Sequence, residues 1–174
     1  SELTTTKIWN ADLRYEFYPS EGQMISLTGF YKKFTDPIEL VVDASAGAGS
    51  RNYTYDNIKG ATDLGAELEF RFKLSILKPL SKWKHADFIS LFANAAYIDS
   101  KVDLSEVVTA FNTERPLQGQ SPYLINLGAD YKNPELGLTF TVMYNKIGRR
   151  IAIVGGDNYG DVWEAPRNIL DLSI

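Results

Sequence analysis

The sequence predicts an all-β fold: an antiparallel meander of about seven strands forming part of a transmembrane β-barrel, with long loops at one end and short turns at the other. Three observations predict it. Side-chain polarity alternates with period two, the connections alternate in length, and aromatic residues stand near strand ends. No segment keeps a 3.6-residue period over three turns, and none approaches the roughly 18 consecutive apolar residues of a spanning helix.

The elements follow in order. Leu13, Tyr15 and Phe17 interleave with Asp12, Arg14 and Glu16, a strand with one apolar and one charged face. Residues 19–22 (Pro-Ser-Glu-Gly) are a turn. Ile25, Leu27, Gly29 and Tyr31 alternate with Ser26, Thr28 and Lys32 in a second strand, and residues 35–50 read as a loop. A long third strand covers 53–72, with Ala66, Leu68, Phe70 and Phe72 against Glu67, Glu69 and Arg71. A connection with Pro79 and the basic Lys78, Lys82 and Lys84 leads to strand four, 88–102, in which Phe92 is out of phase with Leu91, Ala93, Ala95 and Tyr97. A loop over 103–122 follows, and within it 104–111 alone suggests a helical turn or two. Strand five, 123–131, sets Tyr123, Ile125, Leu127, Ala129 and Tyr131 against Leu124, Asn126, Gly128 and Asp130. After the turn at 133–137, Leu138, Phe140, Val142 and Tyr144 oppose Thr139, Thr141 and Asn145 in strand six; a loop spans 148–166 and a seventh strand begins near Asn168.

Successive connections of an antiparallel meander fall at opposite ends, so all three long loops gather at one end. Soluble sandwiches have no reason to sort loops this way, whereas outer-membrane barrels keep short periplasmic turns and longer extracellular loops. Phe17, Tyr31, Phe70, Phe72, Tyr97, Tyr123, Tyr131 and Tyr144 then belong to interfacial girdles, where an amphipathic ring prefers the headgroup level. Single-chain bacterial barrels have an even number of strands, so seven do not close in the usual way, and an open sheet edge is intolerable in lipid. The expectation is a partial barrel, residues 1–174 of a larger polypeptide with further strands. The alternative is a soluble β-sandwich that binds a ligand or glycan, with Ile125 and Leu127 packed against a second sheet.

Composition narrows function. Eighteen Lys and Arg against 22 Asp and Glu give a net charge of -4, which argues against a nucleic-acid partner. The absence of cysteine removes disulfides and thiolate metal sites. Ser1-Glu2-Leu3-Thr4 opens no secretory signal, so the expectation is a cytosolic chain or a piece of a longer one.

Three runs carry a resemblance: Arg115-Pro116-Leu117-Gln118-Gly119-Gln120-Ser121-Pro122-Tyr123-Leu124-Ile125-Asn126-Leu127-Gly128, Tyr144-Asn145-Lys146-Ile147-Gly148-Arg149-Arg150-Ile151, and Ala165-Pro166-Arg167-Asn168-Ile169-Leu170-Asp171-Leu172-Ser173. With Gly65-Ala66-Glu67-Leu68-Glu69-Phe70 and residues 25–33, the chain resembles the C-terminal barrel region of TonB-dependent outer-membrane receptors, Bacteroidetes-type ones above all. The resemblance implies a barrel of about 22 strands around an N-terminal plug. It implies a bacterial outer-membrane location, a non-enzymatic importer of a metal chelate, vitamin or glycan, and no cofactor. The partners it implies are the TonB complex, reached through an N-terminal region, the plug and remaining strands of the parent chain, and outer-membrane lipid. A TonB-contacting box, a plug and a terminal strand ending in an aromatic residue have no counterpart in these 174 residues, which is the pattern expected of a barrel segment.

Candidate sites remain sparse. Asp12, Arg14, Glu16, Glu67, Glu69 and Arg71 read as a lumen-facing wall, or more simply as a solvated face with cross-strand ion pairs. Arg149 and Arg150, at the entry to the third loop, are candidates for an anionic ligand or lipopolysaccharide phosphates, since guanidinium binds such groups bidentately; a solvated pair is the simpler reading. His85, the single histidine, lies in the basic stretch Lys82-Trp83-Lys84-His85 and reads as an exposed turn more readily than as the base of a hydrolase. Residues 155–161 lack the spacing of a Ca²⁺ loop and 47–50 lack the Lys of a phosphate loop, so both read as irregular turns or tips. No catalytic or metal-ligating residue is nominated.

Overall fold

The computed structural model describes residues 2–42, 52–77, 79–104, 114–156 and 160–174. Among them the chain forms β1 (Lys7–Phe17), β2 (Met24–Thr35), β3 (Ile38–Val42), β4 (Tyr53–Asn57), β5 (Gly60–Lys73), β6 (Ile89–Val102), β7 (Tyr123–Asn133), β8 (Leu138–Ile147), β9 (Arg150–Ile153), β10 (Val162–Glu164) and β11 (Arg167–Ser173). Seven of these make one antiparallel meander, β1-β2-β5-β6-β7-β8-β11, while β3–β4 and β9–β10 are separate two-stranded ribbons.

The predicted strand over 53–72 is therefore two strands. Ile58 donates to the Pro37 carbonyl and Asp36 to that of Lys59, so the chain leaves one sheet and enters another at this point. Asp36 sits at φ 53°, a left-handed conformation that aspartate tolerates better than most residues. The loops expected over 35–50 and 148–166 likewise carry the ribbons, and β1 begins earlier than the alternation of Leu13 to Phe17 suggested. The candidate helical stretch at 104–111, the tip at 47–50 and the centre of 155–161 fall largely outside the described residues.

Register sorts the side chains cleanly. One rung runs Phe17–Ile25–Phe70–Ala93–Leu127–Tyr144–Leu170, and the next but one toward the loops runs Leu13–Gly29–Ala66–Tyr97–Tyr123. All eight aromatics expected in girdles lie on this apolar face: Tyr31, Tyr97 and Tyr123 near the loop ends of their strands, Phe17, Phe70, Phe72 and Tyr131 near the turn ends, and Tyr144 between. Trp9, which the alternation did not single out, joins the loop-end group with its ring 6.0 Å from that of Tyr31.

Among the described residues no second layer covers this face. Leu13 is 81% exposed, Tyr97 65% and Leu127 45%. A sandwich would bury Leu127, so that alternative fails. Burial concentrates instead where the loops meet, at Glu39, Arg115, Ile151 and Val154.

Phe92 explains itself on the opposite face. It pairs with Gly128 in the register, and its ring lies where a Gly128 side chain would stand. Phe30 covers Gly65 in the same way. An aromatic ring laid over a cross-strand glycine replaces the packing that the glycine lacks.

Candidate functional site

Two regions bring polar chemistry together. The first is the polar face of the sheet. Asp12, Arg14, Glu16, Glu67, Glu69 and Arg71 all fall on it, because Arg14 pairs through Thr28 with Glu67, Glu16 through Ser26 with Glu69, and Met24 faces Arg71. Arg14 reaches across β2: its Nη2 is 2.9 Å from Glu69 Oε2, its Nε is 2.6 Å from Glu16 Oε1, and its Nη1 donates to Thr28 Oγ1 on the way. Ser26, the residue between Glu16 and Glu69 in the register, is 1% exposed.

A second group of hydrogen bonds passes through asparagines. Asn145 donates to Asn126 (2.6 Å), Asn126 to Asn94 (3.4 Å) and Asn94 to Glu67. Two hydrogen-bonded groups, one from β1, β2 and β5 and one from β5, β6, β7 and β8, thus lie side by side as a polar belt over the middle of the face. Asp12 and Arg71 share the face on flanking rungs, beside Phe30 and Met24. In the sequence Asn126 and Asn145 stood out only as polar partners of apolar positions and Asn94 not at all, and only the register aligns the three.

The second region is the loop end, where the three long connections lock together. Arg115 grips Glu39 of β3 bidentately, Nη1 to Oε1 at 2.9 Å and Nη2 to Oε2 at 2.6 Å, with the two side chains 6% and 0% exposed. Glu39 Oε1 also accepts from the Gln118 backbone at 2.9 Å. The Gln118 side chain joins both ribbons: it accepts from Leu40 N (2.7 Å) and donates to the carbonyls of Leu40 (3.1 Å) and Ala152 (2.7 Å). Gly119, at φ 78°, donates to the Ile151 carbonyl, and Val41 and Val154 form a parallel bridge between the ribbons. The run 115–122 is therefore a tie that fastens the first and third loops to the end of β6, where Val102 donates to the Arg115 carbonyl.

Arg149 and Arg150 fall in this region with internal partners. Arg150 Nε is 2.7 Å from Glu164 Oε2 across the β9–β10 ribbon, and the Arg149 guanidinium lies 4.6 Å from the centre of the Trp163 ring. The hydrogen bond from Arg150 holds the Glu164 carboxyl below its ordinary range. His85 is half-buried and not an exposed turn residue: its Nδ1 is 3.1 Å from the Tyr131 hydroxyl, and its ring packs between those of Trp83 and Phe88. Among the described residues no group of three His, Cys, Asp or Glu side chains is arranged as metal ligands.

Residues 2–174 match the protein family described as TonB dependent receptor-like, beta-barrel. The chain belongs to that family. TonB-dependent receptors are outer-membrane transporters and receptors of bacteria, not an enzyme family. Among solved structures, the chain is similar to the copper transporter OprC (TM-score 0.65, 15% identity, covering 98% of this chain and 24% of that one). It is also similar to a mutant of the ferric enterobactin receptor PfeA from Pseudomonas aeruginosa (TM-score 0.56, 18% identity, 96% and 23%). At such identities the likeness concerns the barrel fold, and the chain spans about a quarter of the length of either structure. No curated protein sequence matches it.

Proposed function

We propose that this chain is a stretch of the wall and outer loops of an outer-membrane active transporter that imports a metal chelate, vitamin or glycan into the periplasm. The observation that carries the reading is the sheet's two unlike faces. One is apolar, uncovered and bounded by aromatics, as a lipid-facing wall must be. The other carries a belt of charged and amide side chains suited to a wet lumen. Asp12, Arg14, Glu16, Glu67, Glu69 and Arg71 then line the lumen, where a plug from the same polypeptide and passing cargo would meet them. The tied loops form the outer vestibule. Arg150 shapes it through Glu164, and the exposed Arg149 is the candidate contact for anionic cargo. Energy would come from the TonB complex through an N-terminal region of the parent protein. The copper and ferric-chelate cargoes named for OprC and PfeA make a metal-bearing cargo the leading class.

Neighbouring residues on β7 test the two faces. In the full receptor, Asn126→Cys is expected to react with a membrane-impermeant maleimide and Leu127→Cys to stay unlabelled until detergent is added. Equal labelling of both, or the reverse order, overturns the reading.

A further inference from the structure

The turn end carries one connection unlike its neighbours. Between β5 and β6 the sequence places an apolar residue at every third position: Leu74, Leu77, Leu80, Trp83 and Ala86. The same five residues are joined by successive backbone hydrogen bonds, Leu77 N to Leu74 O (3.2 Å), Leu80 N to Leu77 O (2.8 Å), Trp83 N to Leu80 O (3.0 Å) and Ala86 N to Trp83 O (2.9 Å). Each of these turns closes on the apolar residue that opens the next, so the connector carries an apolar side chain at every turn, a stripe along its length.

Protein holds the stripe's far end. Ala86 is fully buried, and the His85 and Phe88 rings lie 6.1 and 6.2 Å from that of Tyr131 on the sheet's apolar face. The middle is bare: Leu77, Leu80 and Trp83 are 45%, 37% and 48% exposed, and the exposed Lys82 and Lys84 flank the indole.

We propose that residues 74–77 and 79–88 are an interfacial anchor, seating Leu77, Leu80 and Trp83 at the headgroup–acyl boundary of the leaflet on the turn side, with Lys82 and Lys84 against its lipid phosphates. The occupant is lipid for three reasons. Through Tyr131 the stripe is continuous with the apolar face, and so with the surface that meets the bilayer in the transporter reading on which this inference rests. The connector's repeated turns satisfy much of its own backbone, which a segment bordering hydrocarbon requires. Tryptophan with flanking lysines is the composition of an interface helix or turn, and the lysines complement an anionic headgroup.

Spin labels in the full receptor, reconstituted in phosphatidylcholine vesicles with and without phosphatidylglycerol, test the anchor. A label at Leu80→Cys is expected to collide severalfold more with oxygen than with an aqueous nickel chelate, and to sit deeper when phosphatidylglycerol is present. Lys82→Glu with Lys84→Glu is expected to abolish that lipid dependence; a label depth indifferent to the double change overturns the phosphate contact. A label at Leu80 open to nickel, or shielded from both reagents by another protein surface, overturns the anchor. Leu13→Cys on the sheet's apolar face separates the two readings. If Leu13 reports lipid while Leu80 reports water, only the anchor fails; if both report water, the barrel wall itself fails.

Discussion

Glu39 accepts hydrogen bonds from Arg115 and from the Gln118 backbone while its side chain is fully covered, so one guanidinium neutralises its charge. Removing a single partner of a buried pair leaves an uncompensated charge, at a cost of about 3–5 kcal/mol, whereas apolar replacement of both is often neutral. Arg115→Ala is therefore expected to release the loops and sharply raise their rate of cleavage by an added protease. Glu39→Leu with Arg115→Met should be cut more slowly than either single change; equal cleavage of the single and double variants would show that the pair does not hold the loops. Gly128 makes a second prediction at this scale. A Gly128→Ala methyl group enters the volume of the Phe92 ring, and overpacking of this kind costs about 1–3 kcal/mol. Thermal unfolding of the receptor should record that loss in Gly128→Ala and a much smaller one when Phe92→Ala accompanies it. The sequence marked Phe92 as out of phase without saying why, because the ring's reason for facing the polar side lies on the neighbouring strand.

The long strands were legible because alternation persists along them, and the sidedness of the loops followed from their meander order. The ribbons were not. Ile38–Val42 reads Ile-Glu-Leu-Val-Val, without sustained alternation, and Val162–Glu164 is too short for any period to register. Glu39 was hidden for the same reason: an acidic residue in an apparent loop gives no sign that an arginine 76 positions later will bury it. The run 115–122 was visible through its resemblance, yet its work as a tie needed the ribbons to be in place. The β9–β10 ribbon offers a prediction of its own. The hydrogen bond from Arg150 lowers the folded-state pKa of Glu164, so the unfolded ribbon binds more protons at acid pH. Its contribution is complete above glutamate's ordinary pKa of about 4.3 and fades as pH falls through the lowered value. Amide exchange across Ile153–Val162 and Arg150–Glu164 should quicken over that interval, and Glu164→Gln should flatten the response.

At the scale of the whole molecule, two features work against life in water. The apolar face exposes Leu13, Tyr15, Leu27, Leu64, Tyr97, Leu127, Leu170 and Leu172 across six of the sheet's seven strands, far more contiguous apolar surface than a soluble monomer carries. The sheet's outermost strands, β1 and β11, each pair on one side alone, leaving a row of backbone donors and acceptors ready to template another chain. Both defects vanish when lipid covers the face and neighbouring strands continue the barrel. The 174-residue chain expressed by itself is therefore expected to sediment as aggregate without detergent. Charge substitutions at Leu13, Leu27 and Leu127 together should raise the soluble fraction while the belt from Arg14 to Asn145 is left untouched. In the full receptor the same three changes should prevent membrane insertion, because a charge on the lipid face costs about 2–4 kcal/mol near the bilayer midplane. A monodisperse, thermally cooperative monomer of the unmodified chain in plain buffer would mean that some part of the molecule covers this face after all, and the barrel-wall reading would fall with it.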